Sequence, residues 1–380
     1  MRDPVYLDYN ATTPVAAEVL EAMLPWLRDQ FGNPSSAHPY GRRAAQTVVA
    51  ARQQVADLIG AQSQEIVFTG CATEANNLAL LGVARALGTT RRHLVVSAIE
   101  HPAVMAPAMS LREQGWDVTF VPVDGLGRIS VEAVKQSLRV DTALVSVMHA
   151  NNEVGTVQPI ADISRLTRER GIFLHTDAAQ SAGKLRLNVD ELGVDLLTLA
   201  GHKFYAPKGV GALYVRVGTP IRSVLFGAEQ EHGLRPGTES VAFIVAIGAA
   251  AAMAQRSLPA AEEHLRGMRD HLQQRLADAI PSLQINGHPE HRLPNTLHVS
   301  FPGASGRALL AEAAQVVAAS VGSACHSEHD AVSGVLAAMG IGSARASGAV
   351  RLSVGRGTTR EEVERAAEAL VCAWQQLRAR

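Results

Sequence analysis

The chain has 380 residues, of which 47% are hydrophobic and 19% charged, and its formal net charge at pH 7 is −1. That composition excludes a disordered chain, and the length points to two or three domains around a large core. The charge balance leaves no global basic field and no acidic tail, so direct nucleic-acid binding is not expected. The three cysteines, Cys71, Cys325 and Cys372, have neither a disulfide framework nor zinc spacing, which points to a reducing cytosol. The first residues lack the apolar run of a secretory signal. The most apolar stretch, 241–254, is shorter than the roughly 20 residues a bilayer needs, so a buried helix is expected and no membrane span.

In chain order, the β-branched run 66–68 is followed by a helical pattern over 73–87. A strand over 94–97 precedes a helix over 102–113. Strands over 118–121, 143–147, 172–175, 196–199 and 212–215 continue the series. Strands alternating with helices predict an α/β fold with a mostly parallel sheet covered on both faces. After about residue 250 the pattern changes. A helix over 260–279 ends before Pro281, and smaller strands and helices follow. The expected organisation is a segment 1–14 folded onto the small domain or the active site, a large α/β domain over 15–255 and a small α+β domain over 256–380.

Of the 35 basic residues only four are lysines, at 135, 184, 203 and 208. Lys203 lies in Ala200-Gly201-His202-Lys203, and Asp177 in His175-Thr-Asp177-Ala-Ala-Gln180, at a predicted strand end where open α/β sheets bind ligands. An amine and a fixed carboxylate are what pyridoxal 5′-phosphate needs: the amine forms an imine, and the acid keeps the ring nitrogen protonated. Gly70-Cys71-Ala72-Thr73-Glu74 opens a helix. By itself it is an ordinary cap, but beside the lysine and the acid its free N–H groups suit a phosphate. His101, in Ser97-Ala-Ile-Glu100-His101-Pro102, reads either as a cap or as a ring that stacks on a planar cofactor. Asn151 and Asn152 form a turn, or offer two amides to a phenolic oxygen or a carboxylate.

Further on, Arg235-Pro-Gly237-Thr238 is a tight turn that also suits phosphate. Arg351, in a predicted strand, can grip a carboxylate with two parallel hydrogen bonds, or form a surface salt bridge. Cys325 sits among polar neighbours, where a thiol with a lowered pKa is a nucleophile, whereas Cys372 reads as a small apolar core residue. His326 and His329 flank Cys325, but so few ligands in one loop argue against a metal.

Together these runs resemble the cysteine desulfurase family, the NifS/IscS-like enzymes of the class V aminotransferase group. The match runs from Tyr6-Leu-Asp-Tyr-Asn10-Ala-Thr-Thr-Pro14 and Phe31-Gly-Asn-Pro-Ser-Ser36 through Gly201-His-Lys203 and Arg235-Pro-Gly-Thr238 to Arg351-Leu-Ser-Val-Gly-Arg356. Cys325-His-Ser-Glu-His-Asp is closer still to the loop of selenocysteine lyases and is similar to that of the desulfurases serving DNA phosphorothioation. The resemblance implies the pyridoxal-phosphate fold type I, with a seven-stranded-type sheet in the large domain.

The resemblance also implies roles. Lys203 would form the imine and later move the proton. Asp177 would pair with the pyridine nitrogen, Gln180 and Asn152 would sit near the ring hydroxyl, and His101 would stack on the ring. Ala72, Thr73, His202 and Thr238 would hold the phosphate, with Thr238 coming from the partner of a homodimer with shared active sites. Arg351, with Asn152 and Asn10, would take the carboxylate of L-cysteine. Cys325 would become a persulfide, alanine would leave, and the sulfur would pass to an acceptor protein serving iron–sulfur assembly, tRNA thiolation or DNA phosphorothioation. Selenocysteine lyase, a plain aminotransferase or β-lyase, and a cofactor-free interaction protein on the same fold are the alternatives. Two positions depart from the family pattern. Ala200 replaces a usual Ser or Thr, which removes one phosphate hydroxyl, and Cys71 replaces a usual Gly and reads as a spectator rather than the alternative, a second reactive thiol near the cofactor.

Overall fold

The computed structural model describes residues 3–322 and 333–379. Its strands are β1 (Val5–Tyr6), β2 (Ile66–Thr69), β3 (His93–Ser97), β4 (Asp117–Val121), β5 (Thr142–Ser146), β6 (Phe173–Asp177), β7 (Leu196–Ala200), β8 (Gly211–Val215), β9 (Gln284–Asn286), β10 (Thr296–Ser300), β11 (Val317–Ala318) and β12 (Ala349–Ser353). Its helices are α1 (Ala17–Arg28), α2 (Pro39–Ile59), α3 (Ala72–Leu87), α4 (Pro102–Glu113), α5 (Val131–Ser137), α6 (Ile160–Glu169), α7 (Val189–Leu192), α8 (Val241–Ala279), α9 (Gly306–Glu312), α10 (Gly334–Ala338), α11 (Ser343–Ser347) and α12 (Arg360–Ala379).

Seven strands form one sheet in the order β2-β8-β7-β6-β5-β3-β4. β8 runs antiparallel to both of its neighbours and the other pairings are parallel. Strands β3, β5 and β7 are buried along their whole length, as continuous apolar runs demand when helices cover both faces. One core joins the sheet to α1, α2 and α8, and another joins it to α3 and α4. Gly248 on α8 lets that helix meet α2 closely, since a Cβ there would lie 2.8 Å from the Ala51 Cβ.

The 241–254 and 260–279 patterns are parts of a single helix, α8, which carries Pro259 inside it. The N–H that proline lacks would have bonded the carbonyl of Gln255, an exposed residue whose carbonyl water can serve. The apolar first half of α8 is buried in the core against α2. α12 buries Val363, Ala366, Ala367, Leu370 and Ala373, a stripe that leaves Cys372 on its exposed face, so that thiol is not the core residue expected.

β12, β10 and β9 form an antiparallel sheet, and β1 pairs in parallel with β11. Val5 and Leu7 are buried in the core that holds α9, α12 and β10. This threads residues 8–13 back across the ends of the large sheet. We place the division between the two units within α8.

One buried ion pair ties α2 to the loop before α8. Arg52 grips Glu231 with two bonds of 2.6 and 2.7 Å, and the same carboxylate accepts the Phe68 N–H of β2 at 2.8 Å. Truncating one partner strands a buried charge, so Glu231→Ala is expected to cost about 3–5 kcal/mol in denaturant unfolding. A loss under roughly 1 kcal/mol, the range of ordinary surface substitutions, would contradict this account.

Candidate active site

The carboxyl ends of β3, β5, β6 and β7 open on one edge of the sheet because these strands are parallel, and the start of α3 joins them there. Cys71 is the N-cap of α3 and makes no side-chain cap bond, so the first-turn N–H groups face outward. Gly211 permits this close approach: a Cβ there would sit 2.9 Å from the Ala72 nitrogen. Glu74 accepts the Gly70 N–H at 2.7 Å and Arg235 Nε at 2.8 Å, which pins the turn. Thr73 and His101 line one cavity of about 430 Å³ between α3 and α4.

His101 combines both readings of the sequence. It is the N-cap of α4, and its Nδ1 accepts the Ala103 N–H at 3.1 Å, which leaves the ring proton on Nε2. Burial pulls its pKa down, Asp177 opposes that, and Lys203 adds to it, so the charges of both residues reach this ring. Asp177 ends β6 at 6% exposure and accepts Asn76 Nδ2 at 2.7 Å and the Ala179 N–H at 2.9 Å. Among the described residues no cation lies within ion-pair distance of it. Behind it Glu100 is buried, and burial with Asp177 nearby holds its carboxyl well above the usual range.

Lys203 closes a 3-10 turn after β7. Its Nζ donates to the Asn10 carbonyl at 2.6 Å and to that of Ala11 at 2.8 Å. Tyr205 follows at φ 74°, a strained conformation for a bulky residue. Its N–H reaches Thr13 Oγ1 at 2.9 Å, and its hydroxyl accepts the Arg356 N–H at 2.7 Å. These contacts hold the turn in place. His202 Nδ1 lies 3.2 Å from Thr12 Oγ1, and burial, with the nearby lysines, pushes its pKa down to about 4.

Arg351 is buried in β12. It pairs with Asp8 at 2.7 Å and donates to the carbonyls of Asn152 at 3.0 Å and Gly322 at 3.2 Å. Its Nε is buried without a partner. A substrate carboxylate would therefore compete with Asp8, a residue whose role the sequence reading missed, although an Arg-Asp pair is invisible until β12 and the N-terminal segment meet.

Some expected roles change. Asn10 does not present its amide to a ligand: Nδ2 donates to Thr296 Oγ1 and the Asn152 carbonyl, and Oδ1 accepts from Asn295. Asn151 is committed too, bonding the Ile99 carbonyl and accepting from Glu153 and Val154, so of the two amides only the Asn152 side chain stays available. Gln180 Nε2 donates to the Asn10 carbonyl at 3.0 Å. Thr238 is exposed and joins none of these groups within its own chain. Ala200 is buried at the end of β7. Cys325, His326 and His329 lie outside the described residues. Lys184, buried beside Gln180, was counted among the lysines but given no role, although its place four residues after Gln180 in a helical turn was a usable signal.

This donor set fits pyridoxal phosphate: a carboxylate without a cation for a protonated ring nitrogen, a histidine ring beside it, an uncapped helix start for phosphate, and an amine held at the same edge.

The chain matches the family described as Aminotransferase class-V over residues 5–366. It is 44% identical over 364 residues to a protein named cysteine desulfurase IscS from Dictyoglomus turgidum, covering 96% of this chain and 92% of that one. Among solved structures it is similar to a NifS-like protein, with TM-score 0.92, 37% identity and full coverage of both chains. It is also similar to DndA from Streptomyces lividans, with TM-score 0.78, 39% identity, and coverage of 92% of this chain and 99% of that one.

Proposed function

The chain belongs to the class V aminotransferase family and is a cysteine desulfurase, and from that premise we propose how its residues divide the work. One observation carries the reading. The Asn10 carbonyl holds the Lys203 amine, the Asn10 amide holds the Asn152 carbonyl, and that carbonyl also takes Arg351. An amine for the reacting centre and a guanidinium for a carboxylate are thus joined through two residues, a spacing that suits a small α-amino acid such as L-cysteine.

Pyridoxal phosphate, when bound, supplies an electron sink conjugated with the substrate α-carbon. Ala72, Thr73 and His202 would hold its phosphate, Asp177 its ring nitrogen, Gln180 and Asn152 its ring oxygen, and His101 its face. Lys203 removes and returns the proton at the substrate α-carbon. Arg351 orients the substrate carboxylate, and the Gly322 carbonyl on the same guanidinium lies three positions before Cys325. The Cys325 thiolate attacks the substrate sulfur: an S–S bond forms and the C–S bond breaks. Its electron pair stays on the substrate carbon, which takes a proton, and alanine leaves. The exposed Thr238 supports a homodimer in which it reaches the partner's phosphate. The cysteine usage supports a cytosolic setting, with a sulfur-acceptor protein receiving the persulfide.

Cys325→Ala is expected to keep the yellow absorbance of the bound cofactor while persulfide formation from L-cysteine disappears. Full turnover by that variant would remove Cys325 from the mechanism. The Cys325-His-Ser-Glu-His run favours selenocysteine lyase as the second reading. Turnover of L-selenocysteine with negligible sulfur release from L-cysteine would establish that instead.

A further inference from the structure

Lys184 is a second lysine at the site and a buried one, 5% exposed, and no acid pairs with it among the described residues. Its Nζ donates to the Gln180 backbone carbonyl at 3.0 Å and to Gln180 Oε1 at 3.3 Å. That fixes which end of the amide faces which way. The oxygen turns to Lys184, and Nε2 turns to the Asn10 carbonyl at 3.0 Å. The same carbonyl accepts Lys203 Nζ at 2.6 Å. A relay therefore runs Lys184, Gln180, Asn10, Lys203.

We propose that Lys184 is a positioning residue for the Lys203 amine, turning the Gln180 amide so that it shares the Asn10 carbonyl with Lys203 and favours the neutral, nucleophilic amine. Two effects act in the same direction. A carbonyl already occupied by an amide N–H stabilises an ammonium less. Below about pH 7, where Lys184 is cationic, it also repels a proton on Lys203. Burial, then Lys203 and Arg351, push the Lys184 pKa down to about 7, so the two amines sense one another. The other charges at this edge are Asp177 on β6, His101 at the start of α4, His202 and Lys208 beside the 3-10 turn, and Arg351 on β12 with its partner Asp8. Asp177 acts in the opposite sense, and the Lys184→Met change leaves it in place.

This inference rests on Lys203 being the cofactor lysine, and two measurements separate the claims. Borohydride reduction of the pyridoxal phosphate-loaded wild type, followed by peptide mass mapping, locates the modified lysine; a residue other than Lys203 defeats the underlying assignment. The second measurement uses the full-length chain stripped of cofactor. Competitive acylation with acetic anhydride across pH, read by peptide mass, gives the midpoint at which Lys203 becomes reactive. K184M is expected to raise that midpoint by about one pH unit, a tenfold loss of labelling at a fixed pH below it. K184R, which keeps a donor and stays charged at every pH used, is expected to hold the midpoint at or below that of the wild type. An unchanged or lowered midpoint in folded K184M overturns the proposal. Should K184M fail to fold, Gln180→Leu breaks the same relay one residue later and decides by the same midpoint.

Discussion

Lys203→Ala is expected to lower desulfuration by on the order of 10⁴-fold or more, and to abolish the yellow absorbance expected of the wild-type protein loaded with pyridoxal phosphate. The size follows from two losses at one atom. In the proposed mechanism the amine is both the covalent anchor and the base at the substrate α-carbon, and the other amine at this edge, Lys184, is turned toward Gln180 rather than toward the Asn10 and Ala11 carbonyls. The fold should tolerate the change. The 3-10 turn is held by backbone bonds and by Thr13 and Arg356 through Tyr205, none of which needs the lysine side chain. Absorbance, turnover and thermal unfolding of the same preparation make the check. A variant that stays yellow and turns over at a tenth of the wild-type rate would require a different anchor.

Asp177→Asn is expected to reduce kcat by roughly 100- to 1000-fold, the cost of losing one preorganised electrostatic group, with the unfolding midpoint close to wild type. The structural cost is small for a specific reason. Asp177 Oδ1 accepts from the Ala179 N–H, and an amide oxygen can do the same. The new NH₂ would face Asn76 Nδ2, donor against donor. Asn76 Oδ1, however, is buried without a partner, so a flip of the Asn76 amide turns that oxygen to the new donor. Geometry survives and only the charge is lost. Weaker cofactor retention in a dilution assay should accompany the fall in kcat. A kcat within about threefold of wild type, too small for a lost charge at the reacting site, would show that Asp177 does not hold the ring nitrogen.

The placement of these residues was legible early because strand ends announce themselves. Runs such as Leu196-Leu-Thr-Leu199 followed by Gly201 stop a buried strand where a loop must begin, and in a parallel sheet such stops share an edge. β6 carries Asp177 as its last residue, two positions beyond the expected end of that strand, and the carboxylate still lands at the sheet edge. Cys372 was misplaced, although the spacing of Val363, Ala366, Ala367, Leu370 and Ala373 already puts residue 372 off the buried stripe. The fused α8 was less legible, since a proline is a stop signal unless the carbonyl it abandons is solvated.

The sequence by itself determined the alternating α/β order, the short roster of lysines, the acid and histidine at strand ends, and the family. Those properties reside in local runs of residue types and survive in any sufficiently similar chain. Tertiary structure alone decided the pairings across long separations: Arg351 with Asp8, Asn10 with Asn295 and Thr296, Arg52 with Glu231, and the meeting of Lys184 and Lys203 through Gln180 and Asn10. Hydrogen bonds act over about 3 Å, and which donors come that close depends on how segments distant in the chain pack together, for most of these pairs on how the N-terminal segment crosses the edge of the sheet, and not on any pattern along the chain.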